Sequence, residues 1–417
     1  MSTGRSVRID RRILVAATAG ALLAGCSGSA SNHGEPAATT TSPAPTTLRE
    51  RHASPPPDTG PSATTGHHPT RVTVVMSGDV LLHEGLWTTA RVDAQRTGRQ
   101  NMDFRPLLAD MRPVVRGADL AICHLETPLA PAGGPYSGYP LFAVPPAILP
   151  ALKWEGYDAC TTASNHSLDQ GFAGLKRTIA DFDRVGLAHA GTAATKRASR
   201  HALMLRANGV SVALISATYG TNGIPTPSEE PWSVPLIDTG WILRMAHRAR
   251  ANGAQIVLVA LHWGQEYQRT PSPDQVDIAN RLTKSPDITL IYGHHAHVVQ
   301  PYDRVHGTWV VYGLGNAVAQ QSTDVEGVYD GNTCRVTFAK RPDGSFGVRK
   351  LEYIPTMITH FDQRNPARDP MRWLDVPKHV HDPAFASLRS KLRGTNARVT
   401  TAVDIDEALS HGVVEGG

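Results

Sequence analysis

Cysteine is scarce in this chain, with 4 in 417 residues, and aromatic residues make up only 6%. So few thiols exclude a disulfide-built scaffold and a thiolate zinc module. No apolar run reaches the 18 residues that a mature membrane-spanning helix would need. No solenoid-length repeat and no block of basic residues occurs. The chain carries 41 Lys+Arg against 37 Asp+Glu, a formal charge of +4. Residues 1–70 hold 6 basic and 4 acidic side chains, which leaves a net +2 for residues 71–417. That balance excludes an extended nucleic-acid footprint. What is present is 41% hydrophobic residues, enough for one large core or two modest ones.

The N-terminus reads as an address. Arg5, Arg8, Arg11 and Arg12 form a positive region, and Ile13 to Ala24 an apolar stretch ending Leu23-Ala24-Gly25-Cys26. Small residues before a cysteine resemble a bacterial lipoprotein signal. The resemblance implies a signal peptide over 1–25, a lipid on Cys26, and an extracytoplasmic protein held at the cell membrane. An ordinary signal peptide with a chance cysteine is the alternative. In residues 27–70, 23 of 44 positions are Ser, Thr or Pro, and Leu48 is the one large aliphatic. Such composition cannot offset its ordering entropy, so residues 26–70 read as a disordered tether. His67-His68 within it reads as incidental.

Beyond the tether, short apolar runs alternate with amphipathic stretches. Strands are expected over 71–77, 118–123, 157–162, 210–215, 256–261, 288–292 and 309–312. Helices are expected over 104–115, 146–154, 171–185, 236–252 and 273–283. This alternation predicts an α/β core over 71–360 with strands buried on both faces. Residues 361–417 read as an extension packed on the outside. Cys123, Cys160 and Cys334 read as small buried hydrophobes, a Cys123–Cys160 bridge being the alternative.

Six of the expected strands hand over directly to polar side chains, where α/β sheets assemble their sites. They deliver Asp79, Glu126, Asn165 with His166, His262, His295 with His297, and Asn316. A mixed set of carboxylate, amide and imidazole donors suits a pair of Mn, Fe or Zn ions. Such a pair activates water and clamps a tetrahedral centre. In a turn or extended segment, His295 and His297 point the same way, unlike the i, i+4 helical spacing of metalloproteases.

The ordered series Gly78-Asp79-Val80-Leu81-Leu82, His124-Leu125-Glu126-Thr127-Pro128, Ala163-Ser164-Asn165-His166-Ser167-Leu168-Asp169, His262-Trp263-Gly264-Gln265-Glu266-Tyr267, Gly293-His294-His295-Ala296-His297 and Tyr312-Gly313-Leu314-Gly315-Asn316 resembles the CapA capsule-synthesis family, within the calcineurin-like metallophosphatases. The resemblance spans about residues 72–320. It implies a four-layer αββα sandwich and a role in poly-γ-glutamate synthesis, export or attachment in the bacterial envelope. By it, Asp79, Glu126, Asn165, His262, His295 and His297 take metal positions. His166 takes the position that meets developing charge, with Asp169 orienting it or capping the following helix. Trp263, Glu266, Tyr267 and Asn316 would line the substrate pocket, core packing being the alternative for the aromatics.

Two departures stand out. Leu81 occupies the place of the phosphatase Asp-x-His histidine, and His83 substitutes only if the chain turns after Asp79. Glu126 alone represents the Gly-Asp-x-x-Asp motif, and His124 stands where relatives usually carry Asn. One of the two metal positions is therefore poorly furnished. Three functions follow as competing expectations: a metal-dependent hydrolase or transferase of an anionic glutamate polymer, an extracytoplasmic dinuclear metallophosphoesterase, and a non-catalytic assembly factor. The last would bind polymer or a membrane-bound synthase. The Gly-, Pro- and aromatic-rich loop 133–145 recognises polymer or merely covers the sheet edge.

Overall fold

A computed structural model describes residues 71–99 and 101–379, and the backbone of 413–414. The signal peptide, Cys26, the tether, and helical patches expected over 384–392 and 405–409 lie outside the described residues. Among the described residues no helix is long and apolar enough to cross a membrane.

The elements in chain order begin with β1 (Arg71–Leu81), α1 (Glu84–Thr97), α2 (Arg105–Leu108), α3 (Arg112–Arg116), β2 (Leu120–Leu125), α4 (Ile148–Glu155), β3 (Ala159–Thr161), α5 (Gly171–Val185) and β4 (Ala188–Ala190). They continue with β5 (Leu203–Ala207), β6 (Val210–Thr218), α6 (Thr239–Ala251), β7 (Ile256–His262), α7 (Pro273–Leu282), β8 (Leu290–His294), β9 (Tyr302–Val305) and β10 (Thr308–Val311). The remainder are β11 (Asn316–Ala319), β12 (Asp330–Lys340), β13 (Phe346–Ile358), β14 (Trp373–Asp375), α8 (Val376–His379) and β15 (Val413–Val414).

One sheet runs β14-β13-β12-β1-β2-β3-β4, with β11 beside the end of β1 and β15 beside β13. The other runs β5-β6-β7-β8-β10-β9. Strand alternation then builds the layers. Val72, Val74 and Met76 of β1 and Leu120 and Ile122 of β2 meet Val212, Leu214, Ile256 and Leu258 of β6 and β7 between the sheets. Val75, Ala121 and Cys123 face outward onto α1, α2 and α4 through Leu86, Leu107 and Leu152. On the far side, Ile215, Val257, Val259 and Ile291 pack under α6 and α7 through Ile242, Met245 and Leu282. Helix, sheet, sheet, helix: this is the αββα sandwich.

Local chemistry sets the helix ends. Ser272 and Gln275 form a capping box ahead of α7, with Pro273 in its first turn. The Asp238 side chain accepts from the Trp241 amide at 2.9 Å to start α6. The single helix expected over 104–115 is instead two short ones, α2 and α3, each with a proline in its first turn. Pro113 brings no N–H to continue a helix from the preceding turn, so a new one starts there. Strand β14 pairs with β13, so the sheet itself continues past residue 360.

Cys123 and Cys160 are disulfide-bonded, correcting the reading of both as free buried hydrophobes. They stand in register on the parallel strands β2 and β3, a neighbourhood that linear spacing does not reveal. Among the described residues, Cys334 is the free, buried thiol.

Candidate metal centre

The strand ends deliver their polar groups to one place. Strand β1 pairs with β2 through Met76, shifts register, and pairs again from Asp79. The chain therefore runs extended to Leu81, with His83 two residues beyond the strand. Its Nδ1 lies 3.2 Å from the Leu81 carbonyl, and burial pushes its pKa down to about 4.

Asp79 is fully buried. His294 Nδ1 lies 2.7 Å from Oδ1, while the His295 amide donates to Oδ2 at 3.2 Å and His297 Nδ1 lies 3.1 Å from it. Burial alone would raise this carboxyl, but the histidine contacts outweigh it and hold it well below the usual range. Asp79 thus anchors the whole 294–297 turn. That turn is tight: a Cβ on Gly293 would meet the Tyr312 carbonyl and the Trp263 indole nitrogen.

Glu126 is the opposite case. Both its oxygens are buried without a hydrogen-bond partner. His262 Nε2 and His297 Nε2 each stand 3.8 Å from its Oε1. Burial pushes the Glu126 pKa up to about 7. The His297 ring is also buried, yet Glu126 and Asp79 raise it to about 9. A separation of 3.8 Å is too long for a hydrogen bond, while donors about 2.0–2.2 Å from one zinc ion sit about 3–4 Å apart.

A third line of contacts crosses between the sheets. Thr161 Oγ1 lies 2.8 Å from His124 Nδ1, His124 Nε2 lies 3.0 Å from His262 Nδ1, and His262 Nε2 lies 2.8 Å from Asn165 Oδ1. Burial lowers both imidazoles well below their ordinary value, so both are neutral. His295 is likewise lowered, to about 3, first by burial and then by His297. Asp79, Glu126, Asn165, His262, His295 and His297 are therefore brought together as expected.

His124 and His294 join them, although neither was singled out as a ligand. One donor atom each from Asp79, His124 and His294 lie within 4.8 Å of one another, as do those of Asp79, Glu126 and His297. The His124 and His294 rings stack at 4.0 Å. The signal for both was in the motifs, since His124 opens His-Leu-Glu at a strand end and His294 precedes the His-x-His pair.

The donor chemistry fits a divalent metal. Beside the two Glu126 oxygens, His294 Nε2 and His295 Nδ1 are buried without partners. Leaving buried polar atoms unpaired costs about 1–3 kcal/mol each. A cation would meet that need, and mixed oxygen and imidazole donors suit Mn, Fe or Zn.

His166 stands beside this cluster. Its Nδ1 is 2.8 Å from Asp169 Oδ2, which also accepts from the Phe142 amide at 2.8 Å. Asp169 orients His166; the residue in the capping position before α5 is Gln170, so the helix-cap alternative falls away. Phe142 meets the His166 ring edge-on at 4.8 Å, tying loop 133–145 to the centre.

Two residues expected to line the substrate pocket do something else. Trp263 is buried under α7, and its indole N–H donates to the Tyr312 carbonyl at 2.9 Å. Asn316 is buried, with its Oδ1 3.0 Å from His297 Nδ1 and its amide donating to the Val328 carbonyl at 2.8 Å. Packing claims the first and the orientation of His297 the second. Glu266 and Tyr267 do stand exposed at the mouth, joined by Tyr219, which the sequence reading passed over. The Tyr219 ring lies 4.5 Å from His295.

The profile of the bacterial capsule synthesis protein family PGA_cap matches residues 73–321, the stretch that supplies every side chain of the cluster. This chain belongs to that family. The PGA biosynthesis protein CapA of Bacillus subtilis is 32% identical over 176 residues, 41% of this chain and 44% of that protein. The capsule biosynthesis protein CapA of Bacillus anthracis is 31% identical over 175 residues, 41% of this chain and 42% of that protein. The match thus spans less than half the length of either Bacillus relative. A probable polyglutamine synthesis accessory protein of Mycobacterium tuberculosis is 25% identical over 351 residues, 74% of this chain and 90% of that one. Among solved structures, the calcineurin-like phosphoesterase YfkN of Bacillus subtilis aligns with a TM-score of 0.39 at 15% identity, covering 78% of this chain and 99% of that chain.

Proposed function

We propose that this PGA_cap protein is an extracytoplasmic, membrane-anchored hydrolase or transferase that uses a divalent metal pair on poly-γ-glutamate. The observation that carries the catalytic part is the buried, unpartnered Glu126 carboxylate facing His262 and His297 beside an oriented His166. The polymer comes from the capsule-synthesis family and from what its relatives are named for. Anchoring through Cys26 rests on the signal-like N-terminus, and a membrane-bound polymer synthase is the partner such anchoring would favour.

A bound metal pair would supply an activated water and a positive field for the oxygen that gathers charge. The chain's own residues do the rest. Asp79, Asn165, His262, His295 and His297 hold the donors in place, and Asn316 fixes the His297 ring. Asp169 engages Nδ1 of His166, which leaves Nε2 to take a proton from the attacking water as its oxygen bonds to the carbonyl carbon, and to pass that proton to the departing amine as the amide C–N bond breaks.

Purified full-length protein incubated with poly-γ-glutamate and Mn²⁺ or Zn²⁺ should shorten the polymer and release one amine per cut. Glu126→Gln and His166→Ala should each abolish this. Polymer left intact under every divalent ion would overturn the hydrolytic reading. The same His166 beside Asn165 and carboxylates also suits protonation of a departing alkoxide, which favours metallophosphoesterase activity as the second reading. Cleavage of aryl phosphates with the polymer untouched would select it. An assembly role without catalysis predicts that cells carrying His166→Ala still accumulate polymer.

A further inference from the structure

We propose that Glu266 is a metal ligand on the solvent side, completing with His295 and His297 an outer cation subsite. The inference rests on the reading of the cluster as a metal centre and assigns a residue outside the buried donor set. One carboxylate oxygen of Glu266 and one ring nitrogen each of His295 and His297 lie within 4.8 Å of one another. Both histidines are buried, and His295 Nδ1 has no hydrogen-bond partner, so this ring brings a buried nitrogen that the protein itself does not satisfy.

The backbone is arranged to bring Glu266 there. The Tyr267 amide donates to the Ala296 carbonyl at 2.8 Å, clipping the loop after β7 onto the 294–297 turn. Tyr267, His295 and His297 all take left-handed backbone, with φ of 66°, 88° and 55°. Residues with a Cβ hold that conformation only where their surroundings over-determine it, and such positions gather at functional sites. Here three of them surround one carboxylate. Two imidazoles and one carboxylate make the ligand count of catalytic rather than structural metal sites, with coordination positions left open. Because Glu266 is exposed, the open positions face solvent between Tyr219 and Tyr267. The outer ion is therefore the exchangeable one, and the one an oxygen of the substrate meets.

The test is metal stoichiometry on the full-length protein. Metal-free protein is dialysed against Zn²⁺ or Mn²⁺ and its content read by mass spectrometry, with titration calorimetry for the affinities. Wild type should hold two ions and Glu266→Gln one, its weaker dissociation constant raised at least tenfold. Gln265→Ala, a neighbouring exposed substitution, should keep both ions. Equal melting of the metal-free proteins would show that Glu266→Gln folds. Two ions retained by Glu266→Gln, or one ion held equally by both proteins, would overturn the assignment. No ion in wild type would overturn the metal centre as a whole, and so tells the two failures apart.

Discussion

Nε2 of His124 lies 3.0 Å from Nδ1 of His262, and this contact decides which nitrogen of His262 is free to face the centre. With Nδ1 engaged by His124, Nε2 points to Asn165 and Glu126. The other side of His124 is held by the Thr161 hydroxyl, which can donate or accept. The line from Thr161 to His262 can therefore reverse its hydrogen-bond direction, so that His262 carries its proton on Nδ1 and leaves the Nε2 lone pair free for a cation.

His124→Ala should lower metal affinity by about 10–100-fold, as loss of an orienting partner does. A chelator competition on the folded variant reads this directly. Unchanged affinity would mean that the contact is packing alone.

Asp169→Asn should leave metal content unchanged and cut turnover by about 10²–10⁴-fold with little change in KM, since His166 then loses its tautomer and its aim. The Phe142 amide keeps an oxygen to bond, so loop 133–145 should stay in place. Matching falls in metal content and turnover would show that Asp169 serves the metal instead.

Glu155 should make the protein less stable as pH rises. Neither of its carboxylate oxygens has a hydrogen-bond partner, and burial raises its pKa to about 9 despite Arg112 and Arg116. Between about pH 5 and pH 9 the folded chain keeps a proton that the unfolded chain releases, so stability drops with pH across that window by up to about 1.4 kcal/mol per unit. Glu155→Gln should flatten the slope and gain most near pH 8.5. Urea unfolding at pH 5.5 and 8.5 measures both, and parallel slopes for the two proteins would refute the assignment.

The Cys123–Cys160 bridge closes a separation of 37 residues inside the sheet that carries Glu126. Replacing both cysteines with alanine should cost about 3–4 kcal/mol of stability by the chain-entropy account. Both residues are buried, so a mild reductant added to folded protein should leave the bridge intact. Rapid reduction under native conditions would contradict that burial.

Much of the centre was legible from strand ends. A run such as Ile256–His262 announces a buried strand by its own side chains, and the polar residue that ends it is local information. His166 and Asp169 were legible as a pair for the same reason, three residues apart across one turn. Trp263 and Asn316 were not, because the same residue types serve a pocket wall, a core or an orienting hydrogen bond. Only the position of Tyr312 above the one and His297 beside the other decides.

What the chain determines by itself is therefore the α/β alternation and the set of side chains delivered to the carboxyl ends of the strands, since strand period and hydrophobic run are nearest-neighbour properties. What only the tertiary structure decided is which of those side chains share donors. It set Asp79 as the anchor of three histidines, left Glu126 without a partner, placed His124 behind His262 and joined Cys123 to Cys160. The contacts among these join residues from 37 positions apart, as in Cys123–Cys160, to more than two hundred, as in Asp79 with His294, His295 and His297, and contacts of that range follow from the register of the strands and the packing of one sheet on another.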